Sequence, residues 1–327
     1  MQNVNIQKCA VIGCGFVGAT TAYTLLQSQL FSEIVLIDID RKKAEGEAMD
    51  LVHGLPFLSP KKVYAGDYAD ISDAAIIIIA AGANQRPGQT RTDLVKINVK
   101  IFHGIVERIV KYNRDGIILV VTNPVDILTY VTWRTSGFPS NRVLGSGTVL
   151  DTARLKYLIG QQLGVDMRNV HSFIIGEHGD SELAVWSSAN ISGIALSRFC
   201  EASPVCRDAR NLHGIYDEVK NSAYRIIEAK GATYYAVAQA VARICTAILR
   251  DEKTILPVSA FLDGKYDMHD ICLSVPSVIG RGGIEKVIEI PLDASEERQL
   301  RESAGKLSEI IDSLHKEGLL DADFSYV

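Results

Sequence analysis

The chain has 327 residues, too many for one ordinary hydrophobic core, so we expect two domains in contact. Its hydrophobic fraction of 47% and charged fraction of 22% are those of a soluble globular protein. The net charge of -5 argues against nucleic acid as the main partner.

The N-terminal residues 1–5 lack the basic-then-apolar pattern of a signal peptide. The longest apolar run, 74–83, is far shorter than a membrane span and fits a strand buried on both faces. No Cys-x-x-Cys pair occurs among the 6 cysteines, so we expect reduced thiols and no metal site. These features favour a cytoplasmic protein that does not act in a membrane.

The first half of the chain alternates short apolar runs with helical patterns. This alternation predicts a doubly wound parallel sheet with crossover helices. The predicted strands are 9–13, 34–38, 62–65, 75–81, 117–122 and 143–145, and the predicted helices are 18–28, 41–53, 92–112 and 125–135.

The second half has the mixed order of an α+β arrangement. The predicted helices are 151–163, 208–230, 233–250 and 295–316, and the strand-like runs are 170–175, 255–261, 271–275 and 287–290. We place the boundary so that one domain spans residues 1–146 and the other residues 147–327.

Residues 13–18 form a Gly-x-Gly-x-x-Gly turn between the first predicted strand and its helix. Gly13 allows the tight turn, Gly15 lets the backbone approach a pyrophosphate, and Gly18 lets helix and strand pack closely. The helix N-terminus supplies N–H donors and positive potential for phosphates. The motif predicts a Rossmann sheet that binds a dinucleotide, with the substrate-binding catalytic domain following it.

Asp38 ends the next predicted strand, where its carboxylate can accept hydrogen bonds from ribose hydroxyls. The same charge would repel a 2′-phosphate, which favours NAD over NADP. Arg41 is the counter-argument, and we interpret it as an arginine on a helix surface.

Two polar segments follow buried strands at the edge of the sheet where such folds bind ligands. Residues 82–91 form either a lid or a surface loop with two solvated arginines. The Asn123 amide can bind a substrate hydroxyl or carbonyl, and it can also cap a helix with Pro124 at its first position; the two roles do not exclude each other.

His178 lies between two glycines, which suits a side chain that a small molecule approaches better than one packed in a core. A lone histidine is nevertheless most often structural. Asp151 and Arg154 are three residues apart on a predicted helix and share a face, either in the site or as a surface ion pair. A metal site of His171 and His178 is rejected, because a separation of seven on an extended segment puts them on opposite faces. Together with the nucleotide turn, His178 and Arg154 suggest hydride transfer to or from a small anionic acid.

The segments 13–18, 151–154, 176–180 and 230–235, in this order, resemble those of the L-lactate dehydrogenases, most closely the bacterial type, within the lactate/malate dehydrogenase family. The resemblance runs over nearly the whole chain. It implies NAD-dependent interconversion of pyruvate and L-lactate in fermentation or glycolysis.

The same resemblance implies catalytic roles. His178 would be the proton donor and acceptor, and Asp151 would orient it. Arg154 would bind the substrate carboxylate bidentately, and Arg91 would arrive on a closing loop to polarise the carbonyl. Asn123 would bind the same oxygen.

The resemblance also implies the pocket and cofactor residues. Gln85 and Thr233 would shape the pocket for the substrate side chain. The expected cofactor-binding residues are Gly13, Gly15, Phe16, Val17, Gly18, Asp38, Lys43, Tyr68, Gly82, Ala83, Thr122, Asn123 and Ser146.

Gln85 separates the leading hypothesis from its nearest alternative, a dehydrogenase of malate or of a bulkier 2-hydroxy acid. Malate dehydrogenases place an arginine at this position, and a neutral Gln85 would leave a second substrate carboxylate unpaired. A non-catalytic nucleotide-sensing module is the alternative from another class. We expect such a module to have lost His178, Arg154 or Arg91, and all three are present.

Lys156 and His171 occupy positions that bind fructose 1,6-bisphosphate at a subunit interface in many bacterial members of the family. The histidine is the usual residue and the lysine replaces an arginine. We therefore expect a homotetramer that binds the bisphosphate more weakly than an arginine-bearing relative.

Overall fold

The computed structural model describes residues 4–83, 91–202 and 210–320, apart from the side chains of residues 91, 202 and 210–213. Its strands are β1 Asn5–Ile12, β2 Glu33–Ile37, β3 Lys62–Ala65, β4 Ala74–Ile79, β5 Ile117–Val120, β6 Val143–Gly145, β7 Val170–Ile175, β8 Leu183–Ile191, β9 Ile194–Ala195, β10 Thr254–Leu262, β11 Ile271–Gly280 and β12 Gly283–Val287. Its α-helices are α1 Phe16–Ser28, α2 Arg41–His53, α3 Arg91–Tyr112, α4 Val125–Ser136, α5 Val149–Leu163, α6 Leu196–Ala202, α7 Arg210–Lys230, α8 Tyr235–Leu249 and α9 Ala294–Lys316.

The first six strands form a parallel sheet in the order β3-β2-β1-β4-β5-β6, which confirms the predicted doubly wound Rossmann arrangement. All residues of β4 are buried because helices cover both faces of the sheet. The strand order reverses between β1 and β4, so their carboxyl ends open a crevice. Gly13 lies beside this crevice, where a Cβ at its position would meet the backbone of Ala81 at 2.5 Å.

Three strands from the second half extend the same sheet. β10 pairs antiparallel with β6 through Ser259 and Gly145, and β11 and β12 follow it. The prediction of a strand at 287–290 is wrong, because the turn at Gly283, with φ of 92°, starts that strand earlier. The boundary between residues 146 and 147 stays a prediction.

A separate sheet in the order β7-β8-β9 follows α5. β8, β9 and α6 are absent from the sequence prediction, which did not assign an element to residues 176–207. Buried side chains of α5, α7 and this sheet form a second hydrophobic cluster beside the main core.

Two further details differ from expectation. α4 begins at Val125 with Pro124 as its N-cap residue, so the prediction that Asn123 caps this helix is wrong. Cys200 is disulfide-bonded, so the expectation of reduced thiols is wrong at this position, whereas Cys9, Cys14, Cys245 and Cys272 are free and buried. The spacing of the cysteines does not indicate that Cys200 is paired.

Arg41 is exposed at the start of α2 and pairs with Glu45 and Asp67, as expected of a helix-surface arginine. None of the helices in the described ranges is long and apolar enough to cross a bilayer.

Candidate active site

A cavity of about 330 Å³ lies at the carboxyl ends of β4, β5 and β6, between the sheet and helices α5, α7 and α8. Many predicted site residues line it: Val17, Gly82, Ala83, Thr122, Asn123, Ser146, Arg154, His178 and Thr233. It is also lined by residues that the sequence analysis missed: Ala80, Leu94, Val121, Gly147, Leu150, Ala223, Ile227, Val237 and Ala240. These are mostly apolar residues on helices or next to predicted residues, and their spacing carries no signal of a site.

The three glycines of the turn have different surroundings. A Cβ at Gly18 would lie 1.7 Å from the carbonyl oxygen of Gly13, so this glycine is required by the packing of α1 on β1. At Gly15 no protein atom lies within 4 Å of an added Cβ. The backbone at Gly15 therefore faces open space at the N-terminus of α1, and this cradle fits the pyrophosphate of a dinucleotide.

Asp38 lies next to this turn at the end of β2. Its carboxylate accepts hydrogen bonds from the backbone N–H of Cys14 at 2.6 Å and of Asp40 at 2.9 Å. The structure thus places a carboxylate beside the glycine turn, where NAD would bring its ribose hydroxyls.

The remaining predicted cofactor residues lie away from the cavity lining. Phe16 is 70% exposed and stacks on Tyr234, with ring centroids 5.4 Å apart. Lys43 is exposed in the first turn of α2, and Tyr68 lies beside Arg108.

Asn98 of α3 joins two predicted site residues, although it was not itself predicted. Its side chain accepts from the backbone N–H of Ala83 at 2.7 Å and donates to the carbonyl oxygen of Asn123 at 3.1 Å. It is fully buried, and it lies one turn from Leu94 and from Phe102 on the apolar face of its helix. A polar residue at an apolar position was the signal that could have identified it.

The centre of the site is formed by His178, Asp151 and Arg154. The Nδ1 atom of His178 lies 2.6 Å from Oδ2 of Asp151, and the Arg154 guanidinium donates to Oδ1 of the same carboxylate at 2.8 Å. Asp151 is 3% exposed, so both contacts are shielded from water. The interpretation of the Asp151–Arg154 pair as a surface ion pair is therefore wrong.

Electrostatics favour a protonated His178. Burial opposes its charge, but the carboxylates of Asp151, Glu182 and Asp126 together outweigh burial and raise the pKa of His178 to about 9. Burial likewise opposes the charge of Asp151, yet His178 and Arg154 hold the pKa of this carboxyl below its usual value.

Asp126 fixes the backbone of His178. Its carboxylate accepts from the His178 N–H at 2.8 Å and from the Ser274 hydroxyl at 2.9 Å. β7 ends at Ile175, and Gly176, with φ of 95°, turns the chain before His178. His178 is therefore not on the strand that carries His171, so their separation of seven residues does not place the two side chains on opposite faces of one strand.

Glu182 is a second acidic residue of the site that was not predicted. One of its carboxylate oxygens, one oxygen of Asp151 and one ring nitrogen of His178 all lie within 4.8 Å of one another. Glu182 stands just before β8, an element that the sequence patterns did not indicate, so its approach to His178 had no signal.

The other predicted residues are placed as follows. Arg91 is the first residue of α3, but its side chain lies outside the description, and Gln85 lies outside the described residues altogether. Lys156 is partly buried on α5, and burial lowers its pKa. His171 is exposed on β7, and neither residue is among those that line the cavity.

Two family models match the chain. The lactate/malate dehydrogenase NAD-binding domain matches residues 7–145, and the lactate/malate dehydrogenase alpha/beta C-terminal domain matches residues 148–317.

Known proteins similar to this chain share its length. It is 57% identical over 312 residues to an L-lactate dehydrogenase of Acetivibrio thermocellus, which covers 95% of this chain and 98% of that protein. It is 52% identical over 307 residues to L-lactate dehydrogenase 1 of Clostridium acetobutylicum, a match that covers 94% of this chain and 98% of that protein.

Solved structures agree with the fold throughout. The minor L-lactate dehydrogenase of Enterococcus mundtii, in a ligand-bound form, superposes with a TM-score of 0.91 at 42% identity, over 94% of this chain and 98% of that one. A lactate dehydrogenase from a Medee basin deep-sea metagenome library superposes with a TM-score of 0.92 at 43% identity, over 94% of this chain and 99% of that one.

Proposed function

Because the chain belongs to the lactate/malate dehydrogenase family, we infer that it is an NAD-dependent oxidoreductase that interconverts pyruvate and L-lactate. The observation that carries this proposal is the buried contact of 2.6 Å between His178 and Asp151, with Arg154 beside it, in a cavity next to the glycine turn. This arrangement supplies a proton donor and a carboxylate-binding cation at one place. NAD fits the open backbone at Gly15 and the Asp38 carboxylate.

His178 moves the proton. Its Nδ1–H is held by Asp151, which leaves Nε2 to donate to the carbonyl oxygen of pyruvate. Once Nε2 has given up its proton, the neutral imidazole keeps Nδ1–H and can accept the hydroxyl proton of lactate in the reverse direction. Bound nicotinamide supplies or accepts the hydride at the substrate carbon.

Arg154 orients the substrate by pairing with its carboxylate. Asn123, at the end of β5, and Arg91, at the start of α3, bind the reacting oxygen and stabilise the charge that develops on it. Because the cavity also presents Leu94, Val237 and Ala240, the region around the small methyl group of pyruvate excludes water.

Gln85 and Thr233 select pyruvate over larger or doubly charged acids in this proposal. Thr233 lines the cavity, and Gln85 is neutral. The alternative substrates are oxaloacetate, which gives malate, and bulkier 2-oxo acids. NADH oxidation with pyruvate, oxaloacetate and 2-oxoisocaproate, assayed side by side, tests the proposal. If oxaloacetate or 2-oxoisocaproate gave a higher kcat/KM than pyruvate, that acid would be the preferred substrate and the proposal would be wrong.

We further propose that the protein is a cytoplasmic homotetramer and that fructose 1,6-bisphosphate binds between subunits at Lys156 and His171. Burial lowers the pKa of Lys156, so its ammonium group gains from a nearby phosphate. The same NADH assay with and without the bisphosphate tests the effector, and sedimentation tests the assembly.

A further inference from the structure

Glu182 is a buried acid that neither the fold nor the proposed reaction accounts for. It is 6% exposed, and its carboxylate shares a cluster within 4.8 Å with Asp151 and His178. Acidic side chains are rarely buried to this extent unless they are paired or functional.

The backbone of Glu182 is held independently of its carboxylate. Its N–H donates to the carbonyl oxygen of Gly179 at 3.4 Å, and its own carbonyl oxygen accepts from the hydroxyl of Tyr216 on α7. The position of residue 182 therefore does not depend on the charge of its side chain, and a neutral side chain of the same shape can be placed there.

The other carboxylates around His178 already have defined partners. Asp151 binds Nδ1 of His178 and the Arg154 guanidinium. Asp126 binds the backbone N–H of His178 and the hydroxyl of Ser274. Glu182 adds charge to the cluster in addition to these contacts.

Charges from several elements act on Glu182. Burial and the neighbouring Asp151 raise the pKa of Glu182 to about 8, whereas His178, Lys220 of α7 and Arg154 of α5 favour its ionised form. In return, Glu182 acts on His178 in the same direction as Asp151 and Asp126. The two groups are near enough that they titrate as a pair.

Resting on the proposed function, we propose that Glu182 is a positioning residue that acts on the reaction through His178: the field of its carboxylate keeps the imidazole protonated, and so extends pyruvate reduction to higher pH. An ionised Glu182 stabilises the imidazolium, and loss of the His178 proton makes the Glu182 charge less favourable next to Asp151. The residue touches neither substrate nor cofactor in this role.

The variant Glu182→Gln keeps the shape and removes the charge. The pH at which kcat/KM for pyruvate falls to half should move down by about one unit, as expected for unit charges a few ångströms apart in a partly solvated protein. Activity at pH 6 should stay within about twofold of wild type, since His178 remains protonated there. Glu182→Asp should restore part of the shift.

Glu177→Gln is the matched control. Glu177 lies in the same segment, but its carboxylate binds the Ser181 hydroxyl. Its substitution should shift the pH at which kcat/KM falls to half by less than half of the shift in Glu182→Gln. If Glu182→Gln lowers the melting temperature or NADH affinity, Glu182→Ser provides a smaller neutral substitute. If a folded Glu182→Gln or Glu182→Ser variant lost kcat/KM for pyruvate at the same alkaline pH as wild type, the proposal would be overturned.

A titration that does not depend on activity separates this proposal from the function on which it rests. In carbon-13 histidine-labelled protein, the His178 signal is identified by its loss in His178→Ala, and its midpoint should fall in Glu182→Gln. If the wild-type protein failed to reduce pyruvate, the proposed function would fail, and the midpoint would still decide whether Glu182 acts on His178.

Discussion

Asp126 and His178 are joined through the main chain: the carboxylate of Asp126 accepts the backbone N–H of His178 at 2.8 Å. The same carboxylate binds the Ser274 hydroxyl and is 2% exposed. Asp126→Ala should therefore lower the free energy of unfolding by about 2–4 kcal/mol, because two buried donors lose their acceptor. Asp126→Asn should cost much less, since an amide can serve both partners. Urea unfolding measures both variants, and equal stability of the two would contradict this role.

The ionisation of Asp126 adds a pH dependence to that comparison. Burial raises its pKa in the folded protein, so the stability it contributes is present below its unfolded pKa of about 3.9 and is lost as pH rises through the folded value. The stability of Asp126→Asn relative to wild type should consequently increase between pH 4 and pH 8. If the stability of Asp126→Asn relative to wild type decreased over this range, folding would lower the pKa of Asp126 instead of raising it.

The reaction should show a single alkaline limb set by His178, whose pKa is raised to about 9. Reduction of pyruvate needs the protonated imidazole, so kcat/KM should be nearly constant below pH 8 and should fall about tenfold per unit above the pKa. Oxidation of lactate needs the neutral form, and its kcat/KM should rise up to the same pH. Asp151→Asn removes the stabilising charge and should move both limbs toward about pH 6.5. A wild-type limb already at that pH would show that Asp151 does not stabilise the imidazolium.

Loss of His178 and loss of Arg154 should affect different kinetic constants. His178→Ala removes proton transfer and should lower kcat by roughly 10²–10⁴-fold. Arg154→Ala removes the charge that binds the substrate carboxylate and should raise KM by roughly 10²-fold, since hydrogen bonds to charged groups are worth about 1.5–3 kcal/mol.

Surface pairs of the same kind are the controls. His269 binds Asp263 at 2.9 Å and Arg168 binds Asp166, both on the exposed surface. His269→Ala and Arg168→Ala should leave both constants unchanged. A near-normal kcat for His178→Ala would end the assignment of that residue as the proton donor.

Gln85→Arg should move preference from pyruvate toward oxaloacetate. The new guanidinium would pair with the second carboxylate of oxaloacetate and remain unpaired with pyruvate, so that one substrate gains and the other loses. The ratio of the two kcat/KM values measures the change, and Gln89→Arg in the same segment serves as the control. If only the control moved the ratio, Gln85 would not be the residue that selects the substrate.

Fructose 1,6-bisphosphate should lower the KM for pyruvate, because the ammonium group of Lys156 supplies positive charge for a phosphate at the proposed interface. Lys156→Gln should abolish the effect, whereas Lys265→Gln, at a lysine paired with Glu289, should not. The measurement is the KM for pyruvate over a titration of the effector. An absence of any effect at millimolar bisphosphate would leave Lys156 and His171 as structural residues only.

Local geometry made part of the site predictable. Asp151 and Arg154 pair because residues three apart share a helix face, and this holds wherever the helix packs. The glycine turn was equally predictable, because the motif itself is local and Gly18 contacts the carbonyl of Gly13 only five residues away. The parallel sheet followed from alternating elements in the same way.

Other parts depend on contacts between distant segments. Glu182 approaches His178 only because the chain turns at Gly176 and returns as β8, and no periodic pattern marks a turn of this kind. Pairing of β10 with β6 likewise joins segments more than a hundred residues apart. The end of a predicted strand at 290 was misplaced because hydrophobicity continues past Val287, where the ladder stops.

The buried amide of Asn98 has a consequence for how substrate preference diverges among related chains. Its side chain hydrogen-bonds Ala83 and Asn123, which follows β5, and α3 begins at Arg91. Residues 84–90 therefore connect two segments that are both held by α3. The contacts of Asn98 and the Asp151–His178 contact are made by residues outside this segment. With the proposed role of Gln85, a substitution in this one segment would change the substrate side chain that is accepted, while the proton transfer by His178 to the shared carbonyl group would be kept.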